Sequence, residues 1–259
     1  MKATLTYHSI DESGSAISVS NEVFEAHLRW LASGRVRVLS LDDLATDRSH
    51  DDDALAVTFD DGFLNAQGAV ERLLDHGLPV TIFVVSGHVG GTNAWGRHPD
   101  PDIPQLPVLG WSDLERLAAR GAAIEAHTRH HVALTRIPAS ALDDELRGCQ
   151  EDLQARLGIH SSHLAYPYGD VDDTVIARAA RCFQSGHTTE FRAMTDQDDA
   201  MQLPRLDMYY FQAPGSLEAW GTAAFRRRLA WVRARRAVRA RLFGGWAPRR
   251  RPSPESSPA

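Results

Sequence analysis

Short runs of strand-forming residues recur along this chain at the spacing of one strand plus one helix. Seven runs carry the pattern: residues 3–9, 54–59, 79–85, 122–126, 162–166, 183–188 and 202–208. Between them the apolar residues shift to helical spacing. In SNEVFEAHLRWLAS, residues Val23, Phe24, His27, Leu28 and Leu31 fall near helical spacing behind Ser20, a candidate N-cap. AQGAVERLLDHG ends at Gly77, SDLERLAARG runs from a cap candidate at Ser112 to Gly121, and PASALDDELRGCQEDLQARLG ends at Gly158. Glycine at those ends accepts the left-handed backbone that stops a helix. VDDTVIARAAR is the last helix of the body. Strand and helix alternating in this way predict parallel strands joined by crossover helices, the α/β class. An open doubly wound sheet and a closed or nearly closed barrel both satisfy the pattern.

Chemistry separates those two. The run AVTF ends in Asp60 and Asp61, then Gly62. Two adjacent carboxylates raise each other's pKa unless a cation or a donor resolves them. EAHTRHHVAL follows the strand 122–126 and holds His127 and His131 four residues apart; LAYPYGD follows 162–166, and TYHSI ends the first strand with His8. Each piece alone is most often a turn or a structural histidine. All of them fall at or just after strand C-termini, where barrel active sites gather, and this favours the barrel. Two imidazoles and one carboxylate form a three-ligand metal site with an open position for water. A second carboxylate beside the ligand then has a use, as the acceptor of the water's proton. The Gly/Pro-rich segment GHVGGTNAWGRHPDPDIPQLPVLGW is expected to be a long loop bordering this site.

Composition narrows the picture further. The chain has 259 residues and 43% hydrophobic positions, enough for one large α/β domain or two small ones. Cys149 and Cys182 give neither a disulfide framework nor metal-type spacing. The amino terminus enters a strand-like pattern with no signal-type apolar region, and no stretch approaches a transmembrane span; a cytoplasmic protein is the expectation. The net charge of −6 conceals a segregation: residues 1–225 carry 17 basic and 33 acidic residues, while 226–259 hold eleven arginines and one acid, Glu255.

TFDDG, HTRHH and YPYG, in that order, are similar to the three motifs of the polysaccharide deacetylase family (NodB homology domain, carbohydrate esterase family 4). The likeness runs from about residue 3 to 210. It implies a distorted (β/α) barrel of about seven parallel strands that removes N-acetyl groups from amino sugars. By that resemblance Asp60 is the general base, and Asp61, His127 and His131 hold a divalent metal. Zinc is the first choice, with cobalt, nickel or manganese also fitting two histidines and an aspartate. Thr128 steadies the histidine loop, and the backbone N–H of Tyr168 helps hold the oxyanion. The sequence departs from the family at two points. Ala165 stands where an arginine usually steadies the base, and Arg205 is the candidate replacement. The late motif histidine that serves as general acid is missing. TYHSI resembles the first motif of a circularly permuted branch that includes exopolysaccharide enzymes, which makes His8 the candidate acid, with His187 as its rival. His130 is expected at the surface or behind the site, and Asp207 as a partner or a turn residue. Trp95 and Trp111 are candidates for stacking on sugar rings, with loop and core packing as the alternative.

The expected division is a catalytic domain over 1–222 and, over 223–259, an arginine-rich helix with a disordered end. Phe225, Leu229, Val232 and Phe243 share one helical face, whereas Trp231, Val238 and Leu242 lie on another. The helix is expected to dock in part on the acidic body, with peripheral contact to an anionic membrane as the sharper alternative, which would suit a lipid-linked sugar at the inner membrane surface. No nucleic-acid partner is expected. Another acetylated ester or amide, or glycan binding without turnover, are the competing functions.

Overall fold

The computed structural model describes residues 1–47, 53–95 and 102–243. Seven parallel strands form the barrel: β1 Lys2–Tyr7, β2 Ala54–Phe59, β3 Thr81–Val84, β4 Ala123–Ala126, β5 His163–Ala165, β6 Ser185–His187 and β7 Arg205–Asp207. Their spatial order is sequential, with β7 beside β1. Between β6 and β7 the ladder is irregular. Closure comes from the lead-in to β7, where Leu203 N–H donates to Gly186 O and Thr188 N–H to Leu203 O, both 2.8 Å. All seven strands coincide with the runs read from sequence.

The helices are α1 Asn21–Ala32, α2 Leu41–Thr46, α3 Gln67–Asp75, α4 Trp111–Ala119, α5 Ala139–Leu157, α6 Asp173–Ala179 and α7 Ala223–Phe243. Ser20 caps α1 by accepting from Val23 N–H, as expected. Helix α4 is capped differently: it starts one residue before Ser112, and Gly110 N–H donates to Asp113 Oδ2 at 3.0 Å. Gly77, Gly121 and Gly158 all have positive φ at helix ends. Helix α2 is not singled out by the sequence pattern. Its Leu41 and Leu44 pack with Ala54, Ala56, Phe83 and Ala165 in a separate cluster inside the barrel. The expected disordered end, residues 244–259, lies outside the described residues.

The two-residue period of a strand sorts each run into two faces. Ala3, Leu5 and Tyr7 of β1, and Leu55, Val57 and Phe59 of β2, join the large core under the helices. Ala54 and Ala56 face the barrel interior, and the Thr6 and Thr58 hydroxyls meet there at 3.3 Å. The interior is therefore lined by small residues, apolar around Leu41, Leu44 and Phe83 and polar where Thr6 meets Thr58. Continuing that alternation by one step places His8 and Asp60 over the barrel mouth, at the strand C-termini.

Candidate active site

Asp60 follows β2 on the inward register and is 2% exposed. A buried carboxylate needs a cation, and Arg205 supplies it from β7. Its two Nη atoms donate to the two Asp60 oxygens at 2.7 and 2.8 Å, while Nε donates to Thr188 O at 3.1 Å. The guanidinium lies over the Phe83 ring at 5.6 Å. Burial alone would raise the Asp60 pKa, but the Arg205 charge and fork outweigh it and hold the carboxyl well below its usual range. The ion pair joins residues 145 positions apart in sequence.

Asp61 has the opposite register and would point away from the axis in a continuing strand. It leaves the strand instead, with φ +70°, followed by Gly62 at +68°. That left-handed turn brings Asp61 Oδ1 to 3.4 Å from His127 Nε2 and 3.3 Å from His131 Nε2. One ligand-type atom from each residue lies within 4.8 Å of the others, and all three residues are buried. Among the described residues, four non-glycine positions have positive φ: Asp61, Thr128, His131 and Tyr168. All four border this site. Such backbone persists where the surrounding structure over-determines it, and it clusters at functional sites.

His127 follows β4 on the inward register, and its Nδ1 donates to Ala165 O at 2.7 Å, which leaves Nε2 facing Asp61. His131 sits four residues on, in a loop held from behind by α5. Arg129 pairs with Asp152 through both Nε (2.9 Å) and Nη2 (2.8 Å), and Ser86 donates to the same carboxylate. Glu145 takes the His130 backbone N–H and faces its Nδ1. Gly148 gives the Arg129 guanidinium room, since a Cβ there would stand 2.6 Å from it. Thr128 Oγ1 accepts from His131 N–H at 3.1 Å, the steadying role expected of it. His130 itself turns towards α5, away from the trio. The brace of Glu145, Gly148 and Asp152 was not read from the sequence, because nothing in a helical pattern marks which polar residues lean on a distant loop.

The trio fits a divalent cation. Asp61 Oδ1 and His131 Nδ1 are buried without a hydrogen-bond partner. Burial drives the His131 pKa down to about 3, so its ring is neutral with a lone pair to give. Burial acts the same way on His127, but the closeness of Asp61 and the charges of both aspartates prevail and raise its pKa. A proton there does what a cation would do, which is to relieve the carboxylates.

The remaining candidates separate. His8 Nε2 stands 3.8 Å from Asp60 Oδ2 with its side chain 21% exposed, at the mouth. His187 is 1% exposed inside the barrel, against Phe83 and bonded to Ser185 Oγ at 3.1 Å. Burial and the Arg205 charge keep its pKa well below the ordinary histidine value. Asp207 is the inward residue after Arg205, close enough to His8 to feel its charge, and burial raises its pKa. Tyr168 packs edge-on against His131 with ring centroids 4.8 Å apart. Burial and the Asp61 charge push its phenol up to about 12, so it stays neutral. Trp95 lies 4.7 Å from His131 on the other side, also touching Phe63 and His88. Its loop is stapled to the turn after Asp61 by Leu109 N–H to Gly62 O (2.8 Å) and Leu64 N–H to Pro107 O (2.9 Å). The expected bordering loop is thus in place over its described part; residues 96–101 lie outside the described residues. Trp111 instead opens α4, packed against the core, with the Arg156 guanidinium 5.9 Å from its ring centroid.

The fold recurs in solved structures. The deacetylase PplD of Streptococcus pyogenes, solved with acetate, superposes with a TM-score of 0.70 over 83% of this chain and 96% of its own, at 20% identity. The profile of the polysaccharide deacetylase family matches residues 47–184, just over half of the chain, and the chain belongs to that family. Among curated relatives, YxkH of Bacillus subtilis is 26% identical over 192 residues, 72% of this chain but 63% of YxkH. The poly-beta-1,6-N-acetyl-D-glucosamine N-deacetylase of Staphylococcus epidermidis is 24% identical over 203 residues, 73% of this chain and 67% of that protein. The chain therefore spans about two thirds of the length of these relatives. Among the described residues no helix is long and apolar enough to cross a membrane.

Proposed function

We propose that the protein is a metal-dependent hydrolase that removes N-acetyl groups from a glycan of the N-acetylglucosamine type. The observation that carries this reading is the buried, incompletely satisfied trio Asp61–His127–His131 beside an Asp60 clamped by Arg205. The substrate class is drawn from the Staphylococcus relative, whose name states it. Asp61, His127 and His131 would hold the divalent cation, zinc being well suited to two imidazoles and one carboxylate. A cation held by these residues would supply Lewis-acid chemistry, lowering the pKa of a water and polarising the amide carbonyl.

Asp60 takes the attacking water's proton. The Arg205 fork keeps it ionised and fixes the direction of its lone pairs, which in return weakens it as a base. His8 gives a proton to the departing amine nitrogen. It is open at the mouth, whereas His187 is sealed in the interior. The motif order, with this histidine on the first strand, fits the permuted exopolysaccharide branch. The backbone N–H of Tyr168 donates to the carbonyl oxygen as negative charge grows on it. The Trp95 ring, beside His131, offers a face for a sugar ring; Trp111 serves packing.

Acetate release from β-1,6-linked N-acetylglucosamine oligomers, measured before and after chelation and metal add-back, tests the reading. Release should stop on chelation and return with metal. Release that survives complete removal of metal sinks the mechanism, and no release from any N-acetylated glycan sinks the substrate class.

A further inference from the structure

Helix α7 is apolar on two opposite sides. Phe225, Leu229 and Val232 are buried in the core. On that side Arg236 donates to Thr189 O at 3.0 Å, with its guanidinium over Phe191 and Tyr210, and Arg228 donates to Tyr210 O at 2.8 Å. Docking on the body accounts for this face. The reverse side is left over. Trp231 and Val238 are 58% and 56% exposed, ahead of every other large hydrophobic side chain described up to residue 239. Arg227, Trp231, Ala234 and Val238 follow one another at four, three and four residues, one stripe of a helix. Arg226, Arg235 and Arg239 are exposed around it, and the Arg235 guanidinium lies 4.5 Å over the Trp231 ring. The helix holds eight arginines and no acidic residue.

We propose that this outer face binds anionic lipid, with α7 lying among the headgroups of a membrane surface. Charge decides the occupant. A second copy of the chain, paired through the same face, would set arginine against arginine. A nucleic acid would satisfy the arginines and leave Val238 and Ala234 unused. An anionic bilayer meets both: the arginines pair with headgroup phosphates, while the indole of Trp231 and the Val238 side chain enter the boundary below them. The face also has a defined place relative to the site. Arg236 contacts Thr189, whose hydroxyl donates to Tyr168 O at 3.3 Å, so the helix stands beside the barrel mouth. Lipid binding would hold that mouth next to the surface. The inference rests on the helix face and not on the deacetylase reading.

The test is co-sedimentation of the full chain with phosphatidylcholine vesicles, with and without phosphatidylglycerol. Binding should require the anionic lipid and weaken as ionic strength rises. Arg227→Gln with Arg235→Gln should lower the partition coefficient about 30-fold. Trp231→Ala with Val238→Ala should lower it about tenfold. Both pairs should keep the parent's unfolding midpoint and whatever acetate release the parent shows on soluble oligosaccharides. Equal sedimentation with neutral and anionic vesicles, or none with either, overturns the proposal. So does tighter binding to single-stranded RNA than to the anionic vesicles, or a dimer abolished by the Trp231/Val238 pair. Failure here would leave metal-dependent acetate release standing, and the reverse holds equally.

Discussion

Two clusters of buried histidines and carboxylates share the barrel interior, one at the mouth and one below it, and they are finished differently. In the lower cluster Glu125 Oε2 accepts from Ser161 Oγ at 2.7 Å and from His163 N–H at 2.8 Å. His163 Nδ1 meets Ser185 Oγ at 2.7 Å, and its Nε2 meets Asp42 Oδ1 at 3.1 Å. Among the described residues, His187 Nδ1 is the one buried side-chain atom of Glu125, His163, Ser185 and His187 without a partner. At the mouth the same residue types bring ligand-type atoms within 4.8 Å of one another, with Asp61 and His131 held at positive φ. Residue type alone does not make a site. Donors saturate the lower set, whereas the upper set holds a carboxylate and two imidazoles in contact with too few protons among them.

The sharpest way to break this contrast is to remove one ligand. Asp61→Ala should abolish stoichiometric zinc binding and cut acetate release about a thousandfold or more. Asp60→Asn should cut release by about 10²–10⁴-fold while zinc binding by calorimetry stays intact. If Asp60→Asn loses the metal too, the division of labour between the adjacent carboxylates is wrong.

Next in size is the choice between histidines. His8→Ala should lower turnover about a hundredfold or more, and His187→Asn should act on stability alone. Turnover that tracks His187 instead would move the acid into the lower cluster.

The clamp gives a pH signature. In the metal-free protein the folded Asp60 pKa lies below its unfolded value of about 3.9, so the ion pair contributes fully above that pH. The contribution is lost as pH falls through the folded value. In Arg205→Ala the partner is gone and burial raises the pKa, so the sign reverses and stability falls as pH rises through about 4. The loss at neutral pH should reach about 3–5 kcal/mol, read by chemical denaturation at a series of pH values. A pH profile unchanged from the parent would mean that Arg205 does not hold Asp60.

The smallest effect on catalysis is expected below the mouth. Ser185→Ala strips a hydroxyl from both His163 and His187, and should cost about 1–3 kcal/mol of stability. Acetate release should stay within about twofold of the parent under conditions where the fold is intact. A large loss of turnover at full folding would join the two clusters into one working unit.

Much of the barrel was legible because β-strands write their faces in a two-residue period. Leu55, Val57 and Phe59 against Ala54 and Ala56 already fix which way Asp60 points. The helix stops at Gly77, Gly121 and Gly158 were legible for a local reason, since only glycine reaches that backbone without strain. Helix α2 was not: six residues in an acidic stretch are too short for a helical period to stand out, and its two leucines gain meaning only from the barrel interior they fill. The cap of α4 at Gly110 escaped for a similar reason, because Ser112 offered a better cap by composition than the glycine the chain uses.

The sequence by itself determined the seven strands, the placing of Asp60, Asp61, His127, His131 and Tyr168 at their ends, and the two apolar sides of α7. Those are local properties of period and motif. Tertiary structure alone decided that Arg205 closes on Asp60, that His131 is neutral while His8 stays open and His187 is sealed, and that Phe225 rather than Trp231 faces the body. Each of those depends on which groups meet across long stretches of chain, and on how much water their meeting excludes. Neither quantity is written in any short segment.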